Sequence, residues 1–226
     1  MDKPIFKKKD IVALLPAKDE EEAIGQVIDE LKKYAGEIVV IDGKSKDKTA
    51  KIAKLKGVRV FEGNGEGKGA DVRLFLKSEK ISPKKAYIML DADASYPPKY
   101  APELAAKLEE YEVVSGKREG VVRKPRNILH FFGNKIISLT GFALYGKYSD
   151  ICTGMWGFRG EALKKMELTA KGFELEADIF SEISRLGLAH TQIDIEHPKR
   201  IGKEKLKSSD GFRIIYFLIK RRFSRR

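Results

Sequence analysis

The chain has 226 residues, of which 42% are hydrophobic and 35% charged, a composition typical of one soluble globular domain rather than a disordered protein. Its apolar runs are far shorter than the roughly 20 residues of a membrane-spanning helix, and no apolar stretch of the signal-peptide kind follows the basic N-terminus. Cys152 is the single cysteine, which excludes an internal disulfide and makes a structural zinc site unexpected. We therefore expect a cytoplasmic protein.

The net charge of +12 is concentrated at the C-terminus. Residues 199–226 contain eleven lysines and arginines against two acidic residues, a net charge of +9, which leaves +3 for the first 198 residues. A basic segment on a nearly balanced body indicates an anionic partner, namely nucleic acid, anionic lipid or a phosphorylated ligand. The alternative is a segment that is merely solvated.

Short apolar runs alternate with helical patterns over the first half of the chain. The first run, residues 11–15, precedes Ile24, Val27, Ile28 and Leu31, which have the spacing of the buried face of an amphipathic helix. Further strands are predicted at residues 38–41, 58–61, 87–90 and 113–115, with one helix around Ile52 and another between the third and fourth strands. This alternation predicts an α/β fold whose mostly parallel sheet is covered on both faces.

The pattern changes after about residue 120. Residues 128–148 predict one or two amphipathic helices, followed by a turn rich in glycine and tryptophan, a helix near residues 174–186 and a short strand at residues 192–196. No repeat or linker divides the chain. We expect one domain at residues 1–206 and a basic, amphipathic extension at residues 207–226.

Asp91 and Asp93 stand one residue apart at the end of the fourth predicted strand, before a turn made rigid by prolines. In sheets of this class, ligands bind beyond the carboxyl ends of the strands. Two carboxylates in such a loop suit Mg²⁺, which completes its shell with water and substrate phosphates. The alternative is a solvated loop, because D-x-D triplets also occur by chance.

Four glycines, Gly63, Gly65, Gly67 and Gly69, surround Lys68. The spacing departs from the phosphate-binding G-x-x-x-x-G-K-[ST] motif and from the dinucleotide motif G-x-G-x-x-G. A flexible loop with one cation, able to approach a sugar or a phosphate closely, is one interpretation. A plain surface turn is the other.

Several motifs, taken together and in order, resemble those of glycosyltransferase family 2, and in particular its dolichol-phosphate mannose synthases and related polyprenyl-phosphate hexosyltransferases. The resemblance covers roughly residues 11–206, and its motifs are P-A-K-D-E-E at 16–21, Asp42 at a strand end, G-E-G-K-G-A at 65–70, D-A-D-A-S-Y-P-P at 91–98, G-K-R at 116–118, D-I-C-T-G-M-W-G-F-R at 150–159, G-F-E at 172–174 with Glu176, and R-I-G-K-E-K-L at 200–206. It implies the GT-A fold.

The resemblance also implies where each substrate binds. The nucleotide-sugar donor would contact Pro16, Lys18, Glu20, Asp42, Lys68, Asp91, Ala92 and Asp93. The catalytic residues would be Asp91, Asp93 and Arg118, with Arg118 facing the donor diphosphate. Mg²⁺ or Mn²⁺ would be bound by Asp91, Asp93 and Ser95. The acceptor phosphate would be held by Arg126, Arg200 and Lys205, since cationic side chains, and arginine above all, suit phosphate oxygens.

Two departures from the family pattern bear on specificity. Gly43 follows Asp42 where the family usually has a polar residue, so the choice between a GDP-linked and a UDP-linked donor stays open. Trp156 stands in a segment that is shorter in many mannose synthases. It indicates either a different hexose, such as glucose instead of mannose, or simple packing.

A phosphate acceptor can react without a strong base supplied by the protein. A phosphate monoester has a second pKa of about 6 and is largely a dianion at neutral pH, so it needs no strong base. This agrees with a sequence in which no histidine neighbours Asp91 or Asp93. The resemblance implies inversion at the anomeric carbon by direct displacement.

The C-terminal extension combines apolar side chains with a polybasic end, a pattern typical of helices that lie in the headgroup layer. We expect peripheral attachment to an anionic membrane at its cytoplasmic face, where a polyprenyl or dolichyl phosphate acceptor would be met.

Three other functions were compared with this one. A nucleic-acid-binding protein would leave Asp91 and Asp93 unexplained, so no nucleic acid is expected. A nucleotidyltransferase would usually have a loop rich in glycine and arginine after the first strand. This chain has P-A-K-D-E at residues 16–20 instead, which argues against that class. A transferase acting on a soluble sugar or glycerate stays open.

Overall fold

A computed structural model describes residues 6–118, 128–146, 150–203, 205 and 208–224. Its strands are β1 Ile11–Ala17, β2 Glu37–Asp42, β3 Arg59–Glu62, β4 Ala86–Leu90, β5 Val113–Arg118, β6 Met155–Arg159 and β7 His190–Ile195. Its α-helices are α1 Ile24–Leu31, α2 Thr49–Leu55, α3 Lys68–Ser78, α4 Ala101–Lys107, α5 Ile128–Tyr145, α6 Gly160–Lys165, α7 Leu175–Leu186 and α8 Ser208–Ser224.

The strands form one seven-stranded sheet in the order β3-β2-β1-β4-β6-β5-β7. All neighbours pair in parallel except β6, which runs antiparallel to both β4 and β5. Helices cover both faces, so β1 is buried along its whole length and is an almost continuous apolar run. The predicted α/β class and mostly parallel sheet are confirmed. The carboxyl ends of β1, β2 and β4 lie side by side and form one edge.

The tryptophan-containing segment was predicted as a turn, and this prediction is wrong. Met155–Arg159 is β6, inserted between β4 and β5. The strand lacks the usual alternation of apolar and polar residues because its first four residues are all buried. Trp156 lies fully inside the core, where its Nε1 donates a hydrogen bond to the Thr153 carbonyl at 2.7 Å. Of the two interpretations of Trp156, this position supports packing.

Helix α8 lies within the predicted basic extension, but it packs on the body of the protein. Ile214 and Leu218 are buried in a cluster with Ile137 of α5 and Phe180 of α7. Residues 206 and 207, where the predicted boundary falls, lie outside the described residues. None of the helices in the described parts of the chain has both the length and the apolar character needed to cross a bilayer.

A buried ion cluster fixes α8 to α7. The Arg221 guanidinium is 8% exposed and lies 2.8 Å from Asp178 Oδ1 and 2.6 Å from Glu182 Oε1, two side chains with no exposed area. Arg185 also pairs with Glu182, at 2.7 Å. Asp178 additionally accepts a hydrogen bond from the backbone of Ala170 at 2.7 Å. Arg221 was expected among the membrane-facing cations, and it instead points into the protein.

Replacing Arg221 with alanine should strongly destabilise the fold, because it leaves buried carboxylates without their partner. Breaking a buried ion pair in this way costs about 3–5 kcal/mol. The urea midpoint of Arg221→Ala should therefore fall well below that of Lys220→Ala, which removes an exposed charge from the next position of the same helix. Equal midpoints for the two variants would show that the cluster contributes nothing to stability.

Candidate functional site

The first group of predicted donor-binding residues lies at the ends of β1 and β2. Asp42 is paired with Ala17 in the sheet, is buried, and accepts a hydrogen bond from the Ser45 amide at 3.2 Å. Pro16 is buried within β1, and Lys18 follows it at the surface, with its Nζ 3.4 Å from the Gly65 carbonyl. The structure thus brings Pro16, Lys18 and Asp42 to one edge of the sheet.

The acidic motif follows β4 at the same edge. Asp93 is buried, and its Oδ1 accepts hydrogen bonds from the Ser95 amide at 2.9 Å and the Ser95 hydroxyl at 2.5 Å. Asp91 is more exposed and lies against Gly154, where a Cβ atom would come within 2.2 Å of Asp91 Oδ2. Gly154 precedes β6, so the antiparallel strand brings a residue without a side chain next to the carboxylate. Ala92 is buried between the two aspartates.

The glycine series is held in place by an aspartate that the sequence analysis missed. Asp71 is buried, and its Oδ1 accepts hydrogen bonds from the backbone amides of Asn64 at 2.8 Å and Gly65 at 2.9 Å. A Cβ atom at Gly63 would lie 2.4 Å from the same oxygen, so a side chain there would displace the Asp71 carboxylate. The expectation of a loose loop that includes Lys68 is wrong, because Lys68 is the first residue of α3. The signal available in the sequence was Asp71 itself, an acidic residue that closely follows the four glycines.

Lys68 lies between two carboxylates. Its Nζ is 2.5 Å from Asp91 Oδ1 and 2.5 Å from Glu176 Oε1, a residue in the first turn of α7. Burial alone would lower the pKa of Lys68, but the charges of Asp91 and Glu176 outweigh it and raise that pKa above its ordinary value. Burial raises the pKa of Glu176, and Lys68 opposes this rise. Glu176 was part of a recognised motif but was not assigned to the site.

The C-terminal loop, residues 196–203 with Lys205, crosses from β4 to β1. The Ile201 amide donates to the Asp93 carbonyl at 2.9 Å. The Arg200 Nη2 lies 3.1 Å from Asp93 Oδ2 and 3.4 Å from Glu20 Oε1, and the Lys205 ammonium contacts the same Glu20 oxygen. Burial raises the pKa of Glu20, and Lys205 acts against it. Arg200 and Lys205, which were expected to hold the acceptor phosphate, therefore also adjoin the predicted donor site.

Arg118 forms a bidentate ion pair at the end of β5. Its Nε and Nη2 each lie 2.7 Å from an oxygen of Asp150, so one edge of the planar guanidinium is already engaged in hydrogen bonds. Both side chains are largely buried. Arg126, the remaining predicted site residue, lies outside the described residues.

A histidine packs directly behind the acidic motif. The His197 Nδ1 lies 2.9 Å from the Ser95 carbonyl, and its ring centroid is 4.9 Å from that of Tyr96. Burial lowers the pKa of His197, and the Arg118 charge lowers it further, so the imidazole is neutral at pH 7. No histidine neighbours the motif along the sequence, but the fold supplies one from 102 positions away.

The acidic motif suits a divalent cation that shares its ligands with a substrate. Asp91 and Asp93 offer carboxylate oxygens, and the Ser95 hydroxyl lies beside Asp93. No group of three or more histidine, cysteine, aspartate or glutamate side chains in the described part of the chain would enclose an ion by itself. Mg²⁺ commonly uses one or two carboxylates and fills its remaining positions with water and phosphate oxygens. The predicted ligands therefore fit an open site of this kind.

The family model for glycosyl transferase family 2 matches residues 13–167, more than half of the chain. The chain belongs to this family. It is a glycosyltransferase. The dolichyl-phosphate hexose transferase of Haloferax volcanii is 31% identical over 89% of both chains. Glycosyltransferase AglJ of the same organism is 30% identical over 81% of this chain, and the match spans 61% of that protein's length.

Solved structures confirm the GT-A fold of this family 2 enzyme. Glucosyl-3-phosphoglycerate synthase from Mycobacterium tuberculosis, in complex with Mn²⁺, uridine-diphosphate-glucose and phosphoglyceric acid, superposes with a TM-score of 0.74. The match covers 94% of this chain and 79% of that one, at 21% sequence identity. Identity at this level supports the shared fold alone.

Removing the Asp71 carboxylate should loosen the glycine loop. Asp71→Ala deletes two hydrogen bonds from backbone amides to a charged group, each worth about 1.5–3 kcal/mol. Hydrogen exchange at Asn64 and Gly65 should accelerate, and the KM for the nucleotide-sugar should rise. Glu66→Ala, at an exposed position of the same loop, is the matched control and should change neither. Unchanged exchange at Asn64 and Gly65 in Asp71→Ala would rule out this role.

Proposed function

We propose that the enzyme transfers a hexose, mannose or glucose, from a GDP- or UDP-linked donor to a polyprenyl or dolichyl phosphate, with Mg²⁺ or Mn²⁺ as cofactor. The observation that carries the proposal is the charge arrangement at the strand ends. Lys68 pairs with Asp91, Arg200 pairs with Asp93, and Lys205 pairs with the nearby Glu20. Such an arrangement suits two substrates that both bear phosphate.

The donor is proposed to occupy the edge formed by β1, β2 and the acidic motif. Pro16, Lys18, Glu20 and Asp42 would surround the nucleoside, and Lys68, Asp91, Ala92 and Asp93 the diphosphate and sugar. A bound Mg²⁺ or Mn²⁺, held by Asp91 and Asp93 with Ser95, would withdraw charge from the leaving diphosphate. The residues of the proposed nucleoside pocket and those of the acidic motif follow adjacent parallel strands, at the carboxyl ends where ligands of such sheets bind.

The reaction requires positioning and charge neutralisation rather than a base. An oxygen of the acceptor phosphate dianion attacks the anomeric carbon, a new carbon–oxygen bond forms, and the bond to the donor diphosphate breaks with inversion. Arg118 and Lys68 would balance the charge on the departing nucleoside diphosphate. No proton has to leave the acceptor, and His197 is neutral and hydrogen-bonded to the Ser95 carbonyl, which suits a supporting role.

The acceptor phosphate is proposed to be held by Arg126, Arg200 and Lys205. Arg200 lies 3.1 Å from Asp93, so it borders the place where the donor diphosphate would lie. A cation at that border can contact the incoming phosphate as well as the leaving one. This position supports a bridging role for Arg200, since the attacking and leaving oxygens lie on opposite sides of the same anomeric carbon.

A lipid acceptor would be met at an anionic membrane surface. The outer faces of the neighbouring helices α5 and α8 expose large apolar side chains, namely Ile136, Leu139, Phe142, Phe212, Tyr216, Ile219 and Phe223. Lys220 and Arg222 are exposed near the end of α8. Apolar faces flanked by cations suit the headgroup layer. The 31% identity to a dolichyl-phosphate hexose transferase supports the same acceptor class. We propose peripheral attachment to the cytoplasmic leaflet.

A soluble phosphate acceptor is the second candidate. The observation that favours it is the similarity to glucosyl-3-phosphoglycerate synthase, with a TM-score of 0.74, in a complex that contains phosphoglyceric acid. Both candidates share a phosphorylated nucleophile, so the cation cluster suits either. The exposed apolar faces of α5 and α8 favour the lipid.

Transfer should require both the metal and Asp93. The protein is incubated with GDP-mannose, GDP-glucose, UDP-glucose or UDP-mannose, and with a short polyprenyl phosphate or phosphoglycerate, and products are identified by mass. We expect a polyprenyl-phosphate hexose, formed with Mg²⁺ or Mn²⁺ and lost in EDTA. Asp93→Asn should reduce the rate by about 10²–10³-fold, whereas Asp194→Asn, at an exposed position in β7, should not.

Product formed with phosphoglycerate alone would favour the second candidate. Undiminished transfer in EDTA would refute the metal assignment.

Membrane attachment should depend on the outer face of α8. Phe212→Ser/Tyr216→Ser removes two exposed aromatic side chains and leaves the buried Ile214 and Leu218 intact. Co-sedimentation with vesicles that contain phosphatidylglycerol should fall by more than about tenfold, since one well-buried apolar side chain is worth about 1.5–3 kcal/mol. The control Leu55→Ser/Leu74→Ser removes exposed apolar residues from α2 and α3 and should still sediment. Undiminished sedimentation of the α8 variant would exclude this face as the attachment site.

A further inference from the structure

The two carboxylates of the acidic motif each already have a cationic partner from the chain itself. Lys68 Nζ is 2.5 Å from Asp91 Oδ1, and Arg200 Nη2 is 3.1 Å from Asp93 Oδ2. The negative charges of Asp91 and Asp93 are thus matched by the positive charges of Lys68 and Arg200. A divalent cation that entered without any rearrangement would meet two cations at close range.

Lys68 differs from Arg200 in having a second, more deeply buried carboxylate. Its Nζ is also 2.5 Å from Glu176 Oε1, and Glu176 is 10% exposed whereas Asp91 is 29% exposed. Glu176 belongs to the first turn of α7, and its helix is fixed by buried ion pairs to α8. When Asp91 turns away, Lys68 keeps one partner. Glu176 therefore holds the ammonium group at the edge of the site.

We propose that Lys68 and Arg200 make metal binding and donor binding mutually dependent, with Glu176 as the positioning residue for Lys68. Asp91 and Asp93 become free for Mg²⁺ or Mn²⁺ only when the two cations pair with another anion. The donor diphosphate is that anion, because it lies against the acidic motif in the proposed function, on which this inference rests. Lys68 and Arg200 then move from carboxylate to phosphate oxygens, and no net charge is left uncompensated.

The proposed exchange predicts that nucleotide and metal each strengthen the binding of the other. A nucleoside diphosphate should tighten Mn²⁺ binding, and Mn²⁺ should tighten nucleotide binding by the same factor. Removing the cation from Asp91 should strengthen Mn²⁺ binding to the free protein. It should not strengthen Mn²⁺ binding to the nucleotide complex, because there Lys68 has already left Asp91. Phosphate oxygens that bind the metal also tighten Mn²⁺ binding, so the exchange is measured by how the ratio of the two dissociation constants changes when Lys68 is replaced.

The experiment measures Mn²⁺ dissociation constants by titration calorimetry on the full chain, without nucleotide and with saturating GDP or UDP. For the wild type we expect binding to be at least about tenfold tighter with nucleotide, within the usual range of coupling between sites. Lys68→Met should bind Mn²⁺ more tightly than the wild type without nucleotide, so its ratio should fall below the wild-type ratio, while Arg200 and the phosphate oxygens keep it above one. The control Lys54→Met removes a lysine from an exposed ion pair with Glu62 and should keep the wild-type ratio.

Glu176→Gln gives a second, opposite result. Lys68 then has Asp91 as its remaining carboxylate partner, so Mn²⁺ should bind more weakly without nucleotide, and the ratio should rise. Thermal melts confirm that each variant is folded. Each variant could instead change Mn²⁺ affinity by the same factor with and without nucleotide. This result would show that only the net charge near the site matters, and it would overturn the inference.

A wild-type protein that binds no Mn²⁺ even with GDP or UDP would instead overturn the proposed function. The two failures are thus distinct.

Discussion

Four carboxylates at the edge of the sheet have to be neutralised, and much of the structure follows from how this is done. Glu20 and Asp93 are buried, and Asp91 and Glu176 lie close by across Lys68. The compensating charges come from the start of α3 and from the C-terminal loop, which returns across the whole sheet to β1 and β4. Without these cations the carboxylates would repel one another in a partly desolvated place, so the site and the fold of the C-terminal loop depend on each other.

The same dependence extends to the outer layer. Arg221 of α8 pairs with Asp178 of α7, and Asp178 accepts hydrogen bonds from the loop that precedes α7. That loop in turn accepts hydrogen bonds from the first residues of α3, with Ala70 donating to the Lys171 carbonyl at 2.8 Å. Lys68 stands at the beginning of α3. The helix that we propose to meet the membrane therefore also supports Lys68, a cation of the candidate site.

The balance of charged groups also limits the chemistry. Lys68, Arg200 and Lys205 engage the carboxylates of the site, and His197, which lies against the acidic loop, has its pKa lowered by burial and by Arg118. Such a site is suited to stabilising transferred negative charge rather than to removing protons. This suits a phosphate nucleophile, which enters the reaction already ionised. The proposed acceptor and the electrostatics of the site thus follow from one another.

The sequence by itself determined the parallel part of the sheet, the buried face of α1 and the acidic motif at the end of β4, because these depend on local apolar runs and on strand-end chemistry. It did not reveal β6, since Met155–Arg159 is short, contains Gly157, and shows neither the alternation of a half-buried strand nor the continuous apolar run of β1. Nor did it reveal which charges meet. Lys68 and Glu176 are 108 positions apart, and His197 and Ser95 are 102 apart. Their pairing was decided by the tertiary structure, because a carboxylate can pair with any cation that the fold brings within about 4 Å.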